Sequence, residues 1–271
     1  MSKIEEALAK IQSKPRPGGG SGPLPRVDLP AAMNVDRDAF IERRIVTAVF
    51  ESGPAVEEYK KLRTRVLAWL RSAEGNVVML ASAGGKEGKS LTAVNLAVSV
   101  ARELHQTALL IDADLRRPHL HQLLDVKGQP GLSDFLMGQG DLSSLFHSTG
   151  IPKLTLVPAG TPTARSPELL ASQRMAEFLK EVRRRYQDRI VIIDAPPVLP
   201  ATDSVILANH ADGIVFVVRA GGSAREDVQQ AVRQFDPRKV IGVTLNGAAD
   251  TGHYSAYGYH YVTSPVMAAV G

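Results

Sequence analysis

VVMLASAGGKEGKSLTAVNLAVSVAREL, residues 77–104, is the stretch whose reading decides the fold. Val77 to Ala81 is a short apolar run of the kind that forms a buried strand. A glycine-bearing turn follows from Ala83 to Lys89, and Ser90 to Leu104 then carries Leu91, Val94, Val98 and Ala101 at the spacing of one helix face. Strand, tight turn and helix N-terminus in that order make a phosphate cradle. The turn's N–H groups point inward, the first helical turn has donors without intrahelical partners, and the helix dipole favours an anion there.

The turn reads A-x-x-x-x-G-K-S, a P-loop pattern with Ala83 where the first glycine usually stands. Lys89 can reach the β- and γ-phosphates of ATP, and the Ser90 hydroxyl can bind Mg²⁺. Gly84, Gly85, Lys86, Glu87, Gly88, Lys89, Ser90 and Leu91 are therefore the expected nucleotide contacts. A plain glycine turn would leave Lys89 buried without a partner, which is costly.

Two further strands end in carboxylates. Thr107 to Ile111 leads into Asp112-Ala-Asp114-Leu-Arg116-Arg117-Pro118, and Arg189 to Ile193 leads into Asp194-Ala-Pro-Pro197. Acids at the C-terminal ends of parallel strands sit where open α/β sheets bind ligands. Asp112 and Asp114 fall on one side of an extended segment, although either could simply cap the next helix. Asp194 has the setting of a Mg²⁺-associated acid. Leu154–Val157, Gly213–Val218 and Val240–Leu245 read as further buried strands. Pro167–Arg184 and Glu226–Phe235 read as helices. Strands alternating with helices, without period-two patterning, predict an α/β fold with a mostly parallel sheet covered on both faces.

Outside this region the chain changes character. Residues 1–12 open with a capping-box pattern, Ser2 to Glu5, followed by Ile4, Ala7, Leu8 and Ile11 on one face, and read as a helical arm. Residues 13–35, with Pro15, Pro17, Gly18 and Pro23, read as a linker. Residues 36–250 are the expected catalytic domain. Within it Arg44–Phe50 fits strand or helix, and helix 55–71 stacks Glu57, Lys60 and Arg63 three apart, either as an intrahelical ladder or as a subunit contact. Residues 251–271 gather Tyr254, Tyr257, Tyr259 and Tyr261 among glycines and read as an exposed flexible tail. His119 and His121 are two apart, on different helix faces, and read as surface residues.

Composition narrows the classes. Hydrophobic residues are 44% and charged residues 22%, ordinary for a soluble globular protein. Lys plus Arg number 32 against 28 acidic residues, and the resulting +4 is too weak to argue for nucleic acid. Zero cysteines exclude disulfides and thiolate metal sites. No apolar run approaches the roughly 18–20 residues of a membrane span, and no signal-peptide core is present. The expected location is the cytoplasm.

Together the GKEGKS loop, DADLRRP, IVIIDAPP and the tyrosine-rich tail resemble the bacterial tyrosine kinases of capsule and exopolysaccharide synthesis, over about Ala55 to Tyr261. The MSKIEEAL arm with its linker is similar to the stand-alone cytoplasmic type of exopolysaccharide loci. The resemblance implies a P-loop NTPase fold and ATP- and Mg²⁺-dependent autophosphorylation, probed through the following residues. Lys89 and Ser90 would hold phosphates and Mg²⁺, and Asp112 would assist the metal and accept the attacking tyrosine's proton. Asp114 would support that arrangement, Asp194 would orient the metal through water, and Asn246 would contact adenine. Tyr254, Tyr257, Tyr259 and Tyr261 would be the acceptors. Glu57, Lys60 and Arg63 align with the family's Glu-x-x-Arg-x-x-Arg oligomerisation helix, with lysine replacing the middle arginine and its bidentate fork.

The implied partners are further copies of the chain for trans-phosphorylation, a cytoplasmic segment of a membrane chain-length protein as activator and inner-membrane recruiter, and a tyrosine phosphatase. Two rival readings are a partition or division-site ATPase switch and a non-catalytic ATP-dependent interaction module. The first rival carries a lysine at the position of Gly84, where the nearest here is Lys86.

Overall fold

The computed structural model describes residues 35–185 and 189–248. The arm at 1–12, the linker at 13–35 apart from Val35, and the tyrosine segment at 251–271 lie outside the described residues.

Seven strands form one sheet: β1 (Val77–Ala81), β2 (Thr107–Asp112), β3 (His147–Ser148), β4 (Leu154–Val157), β5 (Arg189–Asp194), β6 (Gly213–Arg219) and β7 (Val240–Asn246), in the order β3-β4-β2-β5-β1-β6-β7. All pairings are parallel except that of the two-residue β3 with β4. Parallel strands run as continuous apolar segments because helices cover both faces. One face carries α1 (Arg37–Glu42), α2 (Val46–Val49), α3 (Pro54–Ser72) and α4 (Lys89–Ala101), with α5 (Leu120–Leu123) at its rim. The other carries α6 (Leu132–Leu136), α7 (Ser166–Leu170), α8 (Gln173–Arg185), α9 (Asp203–Ala208) and α10 (Arg225–Val232). Leu80 and Leu110 point into the first layer, Met79 and Leu109 into the second. This is the P-loop NTPase-like architecture expected, a mostly parallel sheet between helical layers.

Several local expectations change. The apolar run at Arg44–Phe50 is helical, as α2, because Thr47 docks on α4. Its N–H donates to Asn95 Oδ1 at 3.1 Å, its hydroxyl donates to the Asn95 carbonyl at 3.1 Å, and Asn95 Nδ2 reaches the Arg44 carbonyl at 3.1 Å. The helix starting at Lys89 stops at Ala101, three residues before Leu104, and it is buried on almost every side rather than on one face. It lies between the sheet and α3, so even Asn95 and Ser99 are enclosed. The segment 167–184 is two helices broken at Ala171 and Ser172. Strand β7, expected to be buried, is an edge strand with Val243 and Leu245 on the surface.

The base of the sheet is pinned by Asp212. Its carboxylate accepts the N–H groups of Asn76 and Val77 at 3.0 and 2.9 Å and pairs with Arg183 at 3.0 Å. The indole of Trp69 donates to its carbonyl at 3.3 Å. One residue thus fixes β1 relative to α3 and α8, which sets where β1 delivers the loop at its other end.

Candidate active site

The loop between β1 and α4 is shaped by Gly88, whose φ of +88° places it in the left-handed region that favours glycine. A Cβ there would meet Asn246 Nδ2 at 1.7 Å. Asn246, the last residue of β7 rather than a residue beyond it, donates through that nitrogen to the Glu87 carbonyl at 3.0 Å. No side chain caps α4, so the N–H groups of Lys89, Ser90 and Leu91 are left for an anion. Leu91 offers only that N–H, because its side chain packs toward the core. Open space beside Gly85 leaves room at the loop.

Glu87 is not a loop filler. Its buried carboxylate accepts from the N–H groups of Ala83 and Gly84 at 3.1 and 3.3 Å and from the Ser223 hydroxyl at 2.8 Å. Arg219 donates to the carbonyl of Lys86 at 3.2 Å, and Lys86 itself is exposed with a φ of +65°. The β6–α10 loop therefore braces the cradle from behind. Sequence reasoning missed Arg219 and Ser223, whose signal was the Gly221-Gly222 pair between them.

Register does the rest. Asp112 and Asp194 are Cα partners at the ends of the adjacent strands β2 and β5, and β5 also pairs with β1. Lys89 and Asp194, both buried, form an ion pair. Lys89 is thus partnered even in the protein alone, so its burial is compensated. Ser90, next to it, is half-buried. Asp112 does cap the next turn: Oδ2 accepts from His119 and Leu120 N–H, both at 3.0 Å, and Oδ1 accepts from Asp114 N–H at 3.2 Å. Burial, then the Asp194 charge, push its carboxyl up to about 7, with the N–H bonds and Lys89 acting against them.

Asp114 borders this group: its N–H donates to the Asp112 carboxylate, and the charges of Lys89 and Asp194 both act on its carboxyl. Its Oδ1 accepts from Arg117 N–H at 3.0 Å, and burial raises its pKa. Arg116 approaches Asp203 at 3.5 Å. Asp203, unread in the sequence, is fully buried at the start of α9, and its Oδ2 has no hydrogen-bond partner among the described residues. His119 is exposed and His121 half-buried.

The Asp112 shift has a consequence for stability. A carboxyl raised on folding contributes most below the unfolded value of about 4, and that contribution is lost as pH climbs through about 7. Stability of the nucleotide-free protein is therefore expected to fall over that window through this group. Urea unfolding at stepped pH checks it: Asp112→Asn should flatten the slope, and an unchanged slope would contradict the assignment.

Glu57, Lys60 and Arg63 are not brought to the loop. Lys60 pairs with Glu57 at 2.7 Å, but Arg63 leaves that row. It donates to the Ser99 carbonyl at 2.9 Å and pairs with Glu103 at 2.7 Å. That is ~15 Å along α4 from Lys89 at 1.5 Å rise per residue. The three-membered ladder is thus a single pair plus a tie between α3 and the end of α4.

The donor set suits Mg²⁺, which prefers hard oxygen ligands and keeps waters and substrate phosphates in its shell. Ser90 and one or both of Asp112 and Asp194 supply that chemistry. Among the described residues no group of three or more His, Cys, Asp or Glu is placed to hold a metal unaided.

This geometry can be set beside known proteins. The AAA domain family matches residues 75–240. Tyrosine-protein kinase YwqD of Bacillus subtilis is 31% identical over 231 residues, covering 84% of this chain and 96% of that protein. The chain belongs to the bacterial tyrosine-protein kinases. Tyrosine-protein kinase wzc of Salmonella typhimurium is 35% identical over 210 residues, and the match spans 76% of this chain but only 29% of that longer kinase. Among solved structures, the BceF tyrosine kinase domain is 31% identical, with a TM-score of 0.69, covering 78% of this chain and 88% of that one. The kinase domain of Escherichia coli ETK superposes with a TM-score of 0.72 at 26% identity, covering 96% of this chain and 92% of that one. The septum site-determining protein MinD of Pyrococcus horikoshii is only 20% identical, at a TM-score of 0.52, and shares the fold.

Proposed function

We propose that the chain is an ATP-dependent protein-tyrosine autokinase acting on its own Tyr254, Tyr257, Tyr259 and Tyr261, in trans between copies, in the control of exopolysaccharide or capsule synthesis. The observation that carries this reading is the convergence of Lys89, Asp112 and Asp194 beside an uncapped helix N-terminus in a member of this kinase family.

In this reading Gly84 to Leu91 wrap the phosphates of ATP, and Lys89 exchanges its ion pair with Asp194 for the β- and γ-phosphates. Asn246, already against the loop, borders the adenine. Mg²⁺, when bound at Ser90, Asp112 and Asp194, neutralises charge on the phosphates. Phosphoryl transfer is largely positioning and charge stabilisation. A tyrosine hydroxyl with a pKa of about 10 needs a carboxylate in reach as it attacks. Asp112 takes that proton. Asp114 supports the Arg116-Arg117 turn beside it.

Residues 36–250 act as the catalytic domain, with the arm at 1–12 and the tyrosine segment at 251–271 as appendages. Copies meet through the α3 face. A groove of about 500 Å³ there is lined by Glu51, Lys60, Arg63, Arg102 and Glu103. No described helix is long and apolar enough to cross a membrane. The proposed location is cytoplasmic, with recruitment to the inner membrane through a membrane chain-length protein that also activates the kinase. A tyrosine phosphatase would reverse the modification.

A mixing experiment tests the reading. Lys89→Met protein, with its tyrosines intact, is incubated with Mg·ATP and a chain in which all four tail tyrosines are phenylalanine. Phosphate should appear on the Lys89→Met chain only in the mixture. Phosphate on wild-type protein but none on the mixed acceptor would overturn transfer in trans, and none in either, with the cytoplasmic segment of the membrane activator also added, would overturn the kinase reading itself.

A further inference from the structure

The free edge of the sheet carries an uncovered apolar strip. Among the described residues no element lies beyond β7, and Val243 and Leu245 on one of its faces are 60% and 59% exposed. Val243 and Leu245 pair with Phe216 and Val218, whose side chains belong to the core on the α10 side, so the strip extends that face outward, whereas Ile241 packs on the α3 and α4 side. Other exposed large apolar residues, such as Ile41 and Leu104, stand singly. Natural edge strands are usually guarded by a charge, a proline or a bulge directed at the open side. The residues Val240-Ile-Gly-Val-Thr-Leu-Asn246 include no charge and no proline. The register shift opposite Ile214 and Val215 leaves Ile241 as an extra residue at the start of β7, and Gly242 to Asn246 run regularly beyond it. An unguarded edge of this kind is a template for one more strand.

The chain itself supplies a candidate immediately downstream. It leaves β7 at Asn246 through Gly247, whose φ of +69° belongs to a turn. Residues 257–262 read Tyr-Gly-Tyr-His-Tyr-Val, so Tyr257, Tyr259 and Tyr261 alternate with smaller or polar positions at the period of a strand. Within 249–271 the only charged side chain is Asp250. A segment joined to the top of β7 by a short connection returns beside it antiparallel, which needs no crossover. Aromatic residues opposite β-branched ones are among the favourable cross-strand pairs.

We propose that residues 257–262 dock in cis as an antiparallel strand on the free edge of β7, with Tyr257, Tyr259 and Tyr261 lying over Val243 and Leu245. The occupant is this segment rather than a second copy, because it is tethered at the very strand it covers and its local concentration is correspondingly high. Docking sequesters the three tyrosines. Its switching consequence rests on the autokinase reading: each phosphate adds about −1.5 to −2 charge, which an apolar strip cannot accommodate, so modification releases the strand and exposes the edge.

Hydrogen exchange on the full-length, unphosphorylated chain, without ATP, tests the docking independently of catalysis. The probe peptides are 240–248 and 256–263. Relative to wild type, the triple variant Tyr257→Ser, Tyr259→Ser, Tyr261→Ser should exchange about tenfold faster in 240–248. The reciprocal variant Val243→Ser, Leu245→Ser should speed exchange in 256–263. The first variant leaves every residue of the seven-stranded sheet unchanged, so misfolding does not confuse it. Equal exchange in wild type and triple variant would overturn the proposal, as would protection that disappears on dilution, the mark of a second copy on this edge. Protein phosphorylated on these tyrosines should match the triple variant, and retained protection would overturn the switch.

Discussion

Lys89→Met is expected to lower phosphate transfer by about a thousandfold and also to destabilise the protein. The catalytic loss follows from removing the one buried ammonium that stands among the loop's N–H donors and the strand-end acids. Positioned charges of this kind, acting on a developing transition state in a dry site, are commonly worth two to three orders of magnitude, about 10²–10³. The stability loss follows from Asp194, which is left buried without its partner, beside Asp112. Breaking a buried pair on one side costs about 3–5 kcal/mol. Denaturant unfolding with a transfer assay separates the two effects. The double variant Lys89→Met, Asp194→Asn should regain most of the stability, because no charge is stranded, and none of the activity. Recovery of activity in the double variant would contradict the assignment of Lys89 to the phosphates.

Gly88→Ala is expected to weaken nucleotide binding by about a hundredfold, the equivalent of about 2.7 kcal/mol. Two costs combine. A left-handed backbone is unfavourable for a residue with a Cβ, and that Cβ would lie 1.7 Å from Asn246 Nδ2. Asn246 must then move, losing its bond to the Glu87 carbonyl and loosening the loop. Gly138→Ala is the control for left-handed strain outside the loop: its φ is +87° and its Cβ meets nothing within 4 Å. Titration calorimetry with Mg·ADP should find Gly138→Ala within about twofold of wild type. Partial recovery in Gly88→Ala, Asn246→Ala would assign part of the loss to the clash and the remainder to the backbone.

The difference between what sequence revealed and what it hid is physical. Strands β1, β2, β4 and β5 were legible because burial on both faces leaves mostly apolar side chains, and the acids ending β2 and β5 break that run abruptly. Spacing alone located Gly88, Lys89 and Ser90, because the cradle is local. Register between β2 and β5, which brings Asp112 beside Asp194, is set by pairing across distant segments and leaves no local mark. Glu87 was read as a phosphate contact from its place in the loop, and the partners of its carboxylate, Ala83, Gly84 and the remote Ser223, leave no mark in that spacing. Arg63 fell in a row with Glu57 and Lys60 on a helical projection, yet the carbonyl of Ser99 and the Glu103 carboxylate draw it toward α4. Asn95, unread in the sequence, is the buried knot that makes residues 46–49 helical.

The exposed edge at Val243 and Leu245 also escaped the sequence reading, since an apolar run is the same string whether one neighbour or two lies beside it. Only the sheet order distinguishes them.

The account stands most directly on where the γ-phosphate goes. Wild-type protein incubated with Mg·ATP and digested for peptide mass spectrometry should carry phosphate on one or more of Tyr254, Tyr257, Tyr259 and Tyr261, in amounts that match the ATP consumed. Steady release of free phosphate while all four tyrosines stay unmodified would contradict it and place the same pocket in an ATPase switch.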